Sequence, residues 1–247
     1  NMDKWIPMVT DLASQHGCRV LIYNTLSGFF DSRLVFVEES GRQFFSLQNE
    51  PLESPFNQML KRSFDLCVSL PALLVVLPLC MVVVKLFQAL QASGPLFFRQ
   101  ERVGLAGKRF VIWKFRSMVH DEAKTRDEAI QASPGDKRVF GFGRFMRRFS
   151  IDEVPQFLNV LKGNMSIVGP RPLFDEDTQL FNENYMRRLN VLPGITGLLQ
   201  INDRNTSEFS TWYKYDIEYI DNWTLFLDLK IILKTPVALI KGSSKGI

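Results

Sequence analysis

The chain has 247 residues, 46% of them hydrophobic and 23% charged, with a net charge of +4. This composition suits one or two domains with a real core, and it excludes a disordered or collagen-like chain. The net charge is too small to indicate a nucleic-acid binder. The positive charge is local, since residues 99–148 carry thirteen Lys and Arg against six Asp and Glu. This excess predicts a site for an anionic partner.

The cysteine and histidine content limits which metal sites and catalytic mechanisms are possible. Cys18, Cys67 and Cys80 show no paired or metal-type spacing, which is typical of a reduced protein that faces the cytoplasm. His16 and His120 are the only histidines. A His-rich metal site is therefore excluded, and a Ser-His-Asp hydrolase is disfavoured.

The first fifty residues are strand-like. Residues 1–10 lack the apolar core of a signal peptide. Residues 19–23 and 33–39 are rich in strand-forming residues, and a turn at Ser40-Gly41 leads to a hairpin partner at 43–47. Residues 49–55, with two prolines, indicate a linker. We expect this part to be a fragment of a larger α/β domain, and the natural protein to be longer.

An uncharged stretch follows at residues 66–84. Nineteen helical residues would span about 28 Å, which is membrane length. Pro71 and Pro78 interrupt it, and Pro78 removes a backbone hydrogen bond near its middle. A bend there would let the segment enter and leave one leaflet and place both basic ends at the same surface. A kinked spanning helix and a buried core helix are the alternatives.

The middle of the chain is polar and mixed. Residues 97–100 and 110–115 indicate short strands around a glycine turn, and residues 120–132 a solvated helix. Ser150, three residues before Glu153, is a capping-box pattern that predicts the start of a helix with apolar residues at helical spacing. The aromatic-rich tail at 207–241 favours amphipathic helices at a membrane interface or packed on the core, with Pro236 as a break.

Asp152 and Glu153 are the first candidates for chemistry. They are adjacent acids at a predicted helix N-terminus, shortly after Arg147 and Arg148. Phosphate favours such a terminus. Carboxylates there could bind a divalent cation that bridges to phosphate, or one could attack phosphorus directly. Simple capping by exposed acids is the alternative.

Two further segments carry cations. Two prolines flank Arg171 in the loop 163–172, and such stiffness would hold the guanidinium for bidentate phosphate contact. Lys114 and Arg116 lie on one face of a predicted strand. Taken singly, the first segment could be a structural turn with an exposed arginine, and the second is more often a solvated strand edge than a phosphate site. The Walker loop and the dinucleotide fingerprint are both absent from the sequence.

Several motifs together match a known family. They are Lys61-Arg62 with Asp65, FRQERVG (98–104), KFRSM (114–118), DEVPQFLNVLKGNMSIVGPRP (152–172) and PGITGLLQ (193–200). Over residues 59–241 the chain resembles the bacterial sugar transferase family, the monotopic polyprenyl-phosphate phosphoglycosyl transferases. The resemblance implies an α-rich α/β fold with a re-entrant helix-break-helix at about 62–90, a small sheet and interfacial amphipathic helices.

The resemblance also implies a reaction. The family moves a sugar 1-phosphate from a UDP-sugar, commonly UDP-galactose or UDP-glucose, to undecaprenyl phosphate, with release of UMP and a requirement for Mg²⁺. Asp152 would be the nucleophile that forms an aspartyl-phosphosugar. Glu153 would assist, and both acids would contact the metal. The pathway would be the first membrane step of exopolysaccharide, capsule or O-antigen synthesis.

Other positions match the family with roles in substrate binding. Arg147, Arg171, Arg204 and Asp216 match its active-site positions, beside the Lys114 and Arg116 already noted. Pro78 matches the break in the membrane helix. The chain departs from the family pattern at Leu77, where a serine is common, and at Asp203, where a glycine is common.

The domain organisation follows from the same resemblance. Residues 1–56 would be the C-terminal part of a Rossmann-like regulatory domain with its linker, and residues 57–247 the catalytic domain. We expect a homodimer of the full-length protein at the cytoplasmic face of the bacterial inner membrane, in contact with membrane lipids and without a nucleic-acid partner. A non-catalytic membrane scaffold that keeps the fold is the alternative function.

Overall fold

The computed structural model describes residues 8–9, 12, 35–39, 42–46, 50–119, 136–174, 183–203 and 208–242. The chain divides into two compact units, Asn1–Asn49 and Glu50–Ile247. The predicted strand at 19–23 and the predicted helix at 120–132 lie outside the described residues. The assignment of the first unit to a Rossmann-like domain stays a prediction.

In the first unit, two strands form an antiparallel hairpin. Strand β1 (Val35–Glu39) pairs with β2 (Arg42–Ser46), and Glu39 lies opposite Arg42. The two-residue connection is Ser40-Gly41, a pair that favours a tight turn. The predicted hairpin is thus confirmed.

The second unit begins with one long helix, Pro55–Gln91. It comprises α1 (Pro55–Pro71), a π-helical segment (Ala72–Val76) and α2 (Leu77–Gln91). The backbone stays helical through Pro78, so the helix does not break there. The departure from α geometry lies just before this proline, where a wider turn accommodates the missing N–H. A re-entrant course through the membrane stays a prediction.

This helix is largely exposed along its apolar length. Its most apolar window has a mean hydropathy of 2.7, and only 17% of that window is buried. Leu74, Val82 and Leu90 are each more than 70% exposed. A buried core helix is therefore the wrong alternative. By length and composition the helix could cross a membrane, and so large an exposed apolar surface needs an apolar environment.

A second antiparallel hairpin follows the long helix. Strand β3 (Phe97–Val103) pairs with β4 (Arg109–Phe115), with Phe97 opposite Phe115. The predicted strands are confirmed and are longer than expected. The hairpin brings Lys114, near the end of β4, close to the helical segment described next.

Helical segments and a two-stranded parallel sheet complete the second unit. They are α3 (Gly141–Arg148), a 3₁₀ helix (Ile151–Gln156), α4 (Phe157–Lys162), β5 (Ser166–Val168), a second 3₁₀ helix (Glu183–Asn190), β6 (Gly194–Thr196), α5 (Leu198–Asn202), α6 (Phe209–Asp221) and α7 (Leu225–Gly242). Strands β5 and β6 pair in parallel. The tail is helical as predicted, but α7 continues through Pro236, so the predicted break is wrong.

Two buried clusters hold the 3₁₀ helix 151–156 and the start of α4 in place. One cluster is centred on Val160, Met165 and Tyr219, and Phe157 packs against it. The other joins Val84 of α2 to Phe115 and Met146, and residues 151, 154 and 158 pack against it. The segment that carries Asp152 and Glu153 is therefore fixed from both sides, which suits a site that must be pre-organised.

Candidate active site

A cavity of about 130 Å³ lies where β4, the 3₁₀ helix 151–156, the loop after β5 and strand β6 converge. Cations and acids from distant parts of the sequence line it together with apolar groups. The lining residues are Arg102, Ile112, Lys114, Ser150, Glu153, Val154, Gln156, Phe157, Arg171, Pro172, Gly194, Ile195, Thr196, Gln200, Thr235 and Leu239. The predicted site residues Lys114, Glu153 and Arg171 thus share one cavity.

The 3₁₀ helix positions the two acids. It begins after Ser150, which has φ 55° and ψ 25°, in the left-handed region. The backbone N–H of Glu153 donates to the Ser150 carbonyl at 3.1 Å, whereas the Ser150 side chain makes no capping bond. The predicted capping box is therefore wrong, because a left-handed residue cannot supply the extended backbone that this cap needs.

Asp152 and Glu153 point in different directions. Consecutive residues of a 3₁₀ helix lie about 120° apart, so the two side chains leave the helix in different directions. Glu153 lines the cavity, and Lys114 Nζ donates to its Oε1 at 2.7 Å. Asp152, the predicted nucleophile, is 9% exposed and is not among the residues that line the cavity. The alternative of exposed capping acids is therefore wrong.

The loop that carries Arg171 is fixed at both ends. At its start, the Val168 carbonyl accepts hydrogen bonds from Lys61 Nζ and from the Tyr219 hydroxyl, both at 3.0 Å. At its end, Arg188 Nη2 donates to the Arg171 carbonyl at 3.2 Å. Between them, a Cβ on Gly169 would collide with the Leu192 carbonyl. The backbone of the loop is thereby held in one position while the Arg171 side chain borders the cavity.

A buried polar network supports the start of this loop. Lys61 Nζ lies 2.7 Å from Asp228 Oδ2, and the side chains of Tyr219 and Trp223 also donate to the Asp228 carboxylate. Sequence reasoning did not single out Asp228. One acid in the otherwise apolar run 225–229 was the only local signal, because a lone charge on a buried face usually has a partner.

Arg116 does not reach the cavity. Its guanidinium is buried and donates to the carbonyls of Ala92, Pro95 and Met118 at 2.6–2.9 Å. Burial lowers the pKa of this group. The predicted role in substrate binding is therefore corrected: Arg116 ties the end of α2 to the end of β4, while Lys114 serves the cavity.

Asp216 is also placed differently from the prediction. It is buried, and its Oδ2 lies 2.7 Å from Arg188 Nη2 in an ion pair. Burial raises the pKa of Asp216 to about 7, although the Arg188 guanidinium acts in the opposite direction. Asp216 therefore acts on the site through Arg188, which also holds the Arg171 carbonyl. No local pattern distinguishes Arg188, which lies in a polar segment beside another cation, Arg187.

The remaining predicted positions have separate outcomes. Arg147 lies in the last turn of α3, is half-buried and is not among the residues that line the cavity. Arg204 lies outside the described residues.

Gln200 is a cavity residue that sequence reasoning missed: among the described residues none donates a hydrogen bond to its buried Oε1. An unsatisfied acceptor in a cavity wall suits contact with a polar ligand.

The acids present would fit Mg²⁺ only if the phosphates of a substrate supplied further ligands. Among the described residues, no group of three or more His, Cys, Asp or Glu side chains could hold a metal ion. Mg²⁺ commonly binds through one or two carboxylates and the phosphates of a substrate. The Glu153 carboxylate, at the cavity wall, supplies oxygen of the right kind.

Comparison with known proteins assigns the chain to a family. The profile described as "Bacterial sugar transferase" matches residues 56–242. The chain belongs to this family. It is 44% identical over 181 residues to the uncharacterized sugar transferase EpsL of Bacillus subtilis. The matched region covers 72% of the chain and 85% of EpsL.

Two other relatives are named for a reaction. The undecaprenyl-phosphate galactose phosphotransferase of Salmonella typhimurium is 32% identical over 92% of the chain. The UDP-glucose:undecaprenyl-phosphate glucose-1-phosphate transferase of Escherichia coli is 39% identical over 88% of the chain. The matched regions cover 51% and 48% of these two proteins, so the chain spans about half of their length.

Proposed function

We propose that the protein transfers a hexose 1-phosphate from UDP-glucose or UDP-galactose to undecaprenyl phosphate and releases UMP. The names of the Salmonella and Escherichia relatives support the acceptor and the two sugars. The pathway would be the first membrane step in the synthesis of a surface polysaccharide. The long exposed apolar helix gives the chain a place at the membrane, where such a lipid acceptor resides.

The single observation that carries this proposal is the shared cavity. Lys114, Glu153 and Arg171 come from three separate segments and border one space, and Asp152 is next to Glu153 in the chain. Two cations and two acids form an arrangement suited to phosphoryl transfer, in which fixed positive groups stabilise charge on phosphate oxygens. Their supports are buried, so the geometry exists before substrate binds.

The proposed chemistry has two displacements. An Asp152 carboxylate oxygen attacks the β-phosphorus of the UDP-sugar, and the bond from that phosphorus to the bridging oxygen breaks. UMP leaves with the electron pair, and the sugar phosphate stays on Asp152. A phosphate oxygen of undecaprenyl phosphate then attacks the same phosphorus and releases the Asp152 carboxylate. The first product leaves before the acceptor reacts, so the kinetics are ping-pong.

The other residues bind and position the diphosphate. Arg171 offers the bidentate contact that suits a phosphate. Lys114 holds Glu153 at 2.7 Å and presents its charge to the same space. Glu153 and Asp152 would hold Mg²⁺ between protein and diphosphate, where the ion would neutralise charge on the leaving UMP.

The location and assembly are part of the same proposal. Arg62 and Lys85 flank the apolar stretch, and such cations favour contact with the anionic lipids of the cytoplasmic leaflet. We place the active site at the cytoplasmic face of the bacterial inner membrane, in contact with membrane lipids. The full-length protein would be a homodimer.

The test is UMP release by the purified chain in nanodiscs with Mg²⁺. UDP-glucose and UDP-galactose are supplied separately, each with and without undecaprenyl phosphate. We expect turnover with one sugar. Without acceptor, we expect at most one UMP per protein and a hexose phosphate adduct on Asp152, detected by mass spectrometry. Omission of Mg²⁺ should abolish both signals.

Matched variants make the result specific. Asp152→Asn should abolish both the adduct and turnover, whereas Glu53→Gln, which changes an exposed acid away from the cavity, should leave both intact. Silence with every UDP-sugar from a folded protein would contradict the proposal and favour the scaffold. Turnover by Asp152→Asn would contradict the covalent step.

A further inference from the structure

A ladder of four phenylalanines runs from the membrane helix to the edge of the cavity. Phe87 of α2 stacks on Phe142 with ring centroids 4.1 Å apart. Phe142 is followed by Phe145 at 5.6 Å and then by Phe149 at 4.9 Å. Ser150, the next residue, lines the cavity. The four rings therefore form one continuous apolar path between these two places.

The outer two rings are not required by the core. The inward face of α3 is already filled by Met146, which is fully buried, and by Gly143, where a Cβ would collide with the Ser117 carbonyl. Phe145 and Phe149 are 48% and 36% exposed. Exposed aromatic rings that lie in a row, rather than singly, indicate a surface that contacts an apolar partner.

The charges along the ladder indicate the headgroup of that partner. Arg144 and Arg148 are exposed on the same short helix, and the Arg148 guanidinium lies 5.5 Å from the Phe149 ring. The ladder thus combines apolar rings with guanidinium groups and ends beside a phosphate-binding cavity. A long hydrocarbon chain with a phosphate at one end has the matching distribution of polarity and charge.

The position of α3 is fixed relative to the membrane helix. The Phe142 backbone N–H donates to Gln91 Oε1 at 2.8 Å, so the end of α2 caps the start of α3. The exposed apolar surface of α2 and the ladder are therefore held side by side.

We propose that Phe87, Phe142, Phe145 and Phe149 form the binding track for the first isoprene units of the acceptor lipid, and that the track delivers its phosphate to the cavity. This inference rests on the proposed function, because it assumes a polyprenyl phosphate acceptor. It adds a site for the hydrocarbon chain, distinct from the site for the phosphates.

The experiment measures acceptor KM for undecaprenyl phosphate and for the short-chain farnesyl phosphate. It uses the chain in nanodiscs and the variant Phe145→Ala/Phe149→Ala. We expect the KM for both lipids to rise about tenfold, because both carry the isoprene units that touch the rings. UMP release without acceptor should stay at the wild-type level, since the proposed track binds the acceptor alone.

Two control variants separate the track from general membrane affinity and from folding. Phe226→Ala removes an equally large exposed ring on α7 and should leave acceptor KM unchanged. Phe145→Leu/Phe149→Leu keeps the surface apolar and should recover most of the wild-type KM. An unchanged acceptor KM in the double alanine variant, or an equal rise in Phe226→Ala, would overturn the inference. If the wild-type protein released no UMP from either UDP-sugar, the proposed function would be overturned instead.

Discussion

Two ion pairs in this molecule have the same chemistry and the same length but opposite surroundings. Lys61 meets Asp228 at 2.7 Å with side chains 7% and 0% exposed, and Lys114 meets Glu153 at 2.7 Å with side chains 20% and 23% exposed. The first pair is enclosed by further hydrogen bonds, whereas the second borders the cavity. A short distance therefore does not tell whether a pair is structural. What distinguishes a structural pair from a functional one is whether a substrate can reach it.

The largest expected effect comes from breaking the buried pair. Lys61→Met should lower the free energy of unfolding by about 3–5 kcal/mol, because it leaves the Asp228 carboxylate buried without its cation. Chemical denaturation of the detergent-solubilised protein measures this. The double variant Lys61→Met/Asp228→Leu should recover part of the loss. Equal stability of Lys61→Met and wild type would show that the two pairs do not differ as described.

Breaking the cavity pair should affect activity instead. Lys114→Met should change the free energy of unfolding by less than about 1 kcal/mol. It should reduce kcat/KM for UMP release about a hundredfold, since one cation near the transferring phosphate is lost. Lys108→Met, which removes an exposed cation in the β3–β4 turn, serves as the control and should behave as wild type. A stability loss as large as that of Lys61→Met would contradict this division.

A third ion pair, Arg188–Asp216, is buried like the first, and its contribution to the free energy of unfolding should depend on pH. This is the smallest of the three expected effects. Burial raises the pKa of Asp216 to about 7, so the folded protein holds a proton there that the unfolded chain has already lost. Stability from this group is present at low pH and is lost as pH rises through 7. Between pH 6 and 8, wild type should lose about 1 kcal/mol relative to Asp216→Asn. Thermal unfolding of both proteins across this range checks the sign, and a constant difference would contradict it.

Local patterns predicted the elements well. Alternation and turn residues identified both hairpins, and the uncharged stretch identified the long helix. The same local logic failed at Ser150, where the backbone is left-handed, and at Pro236, which α7 accommodates. Both outcomes depend on packing, which a window of a few residues does not contain.

The site was predicted in part, for a related reason. Lys114, Glu153 and Arg171 were identified and do share the cavity. Arg116, two residues from Lys114, was assigned the same role, although it binds carbonyls at the end of α2. Its role depends on where that helix ends in space. The Lys61–Asp228 pair joins residues 167 positions apart, and no local pattern reveals such a partner.

The π segment at 72–76 has a consequence for which side of the long helix faces the protein. The residues buried before it are Lys61, Asp65 and Ser69, and those buried after it are Leu77, Val84 and Gln88. In a regular α-helix each residue advances the direction by about 100°, so the eight positions from Ser69 to Leu77 would leave Leu77 about 80° out of phase. The additional residue in the π turn absorbs roughly that angle. The π segment thus keeps the buried residues on one side of the 37-residue helix, and the opposite side stays exposed to an apolar environment.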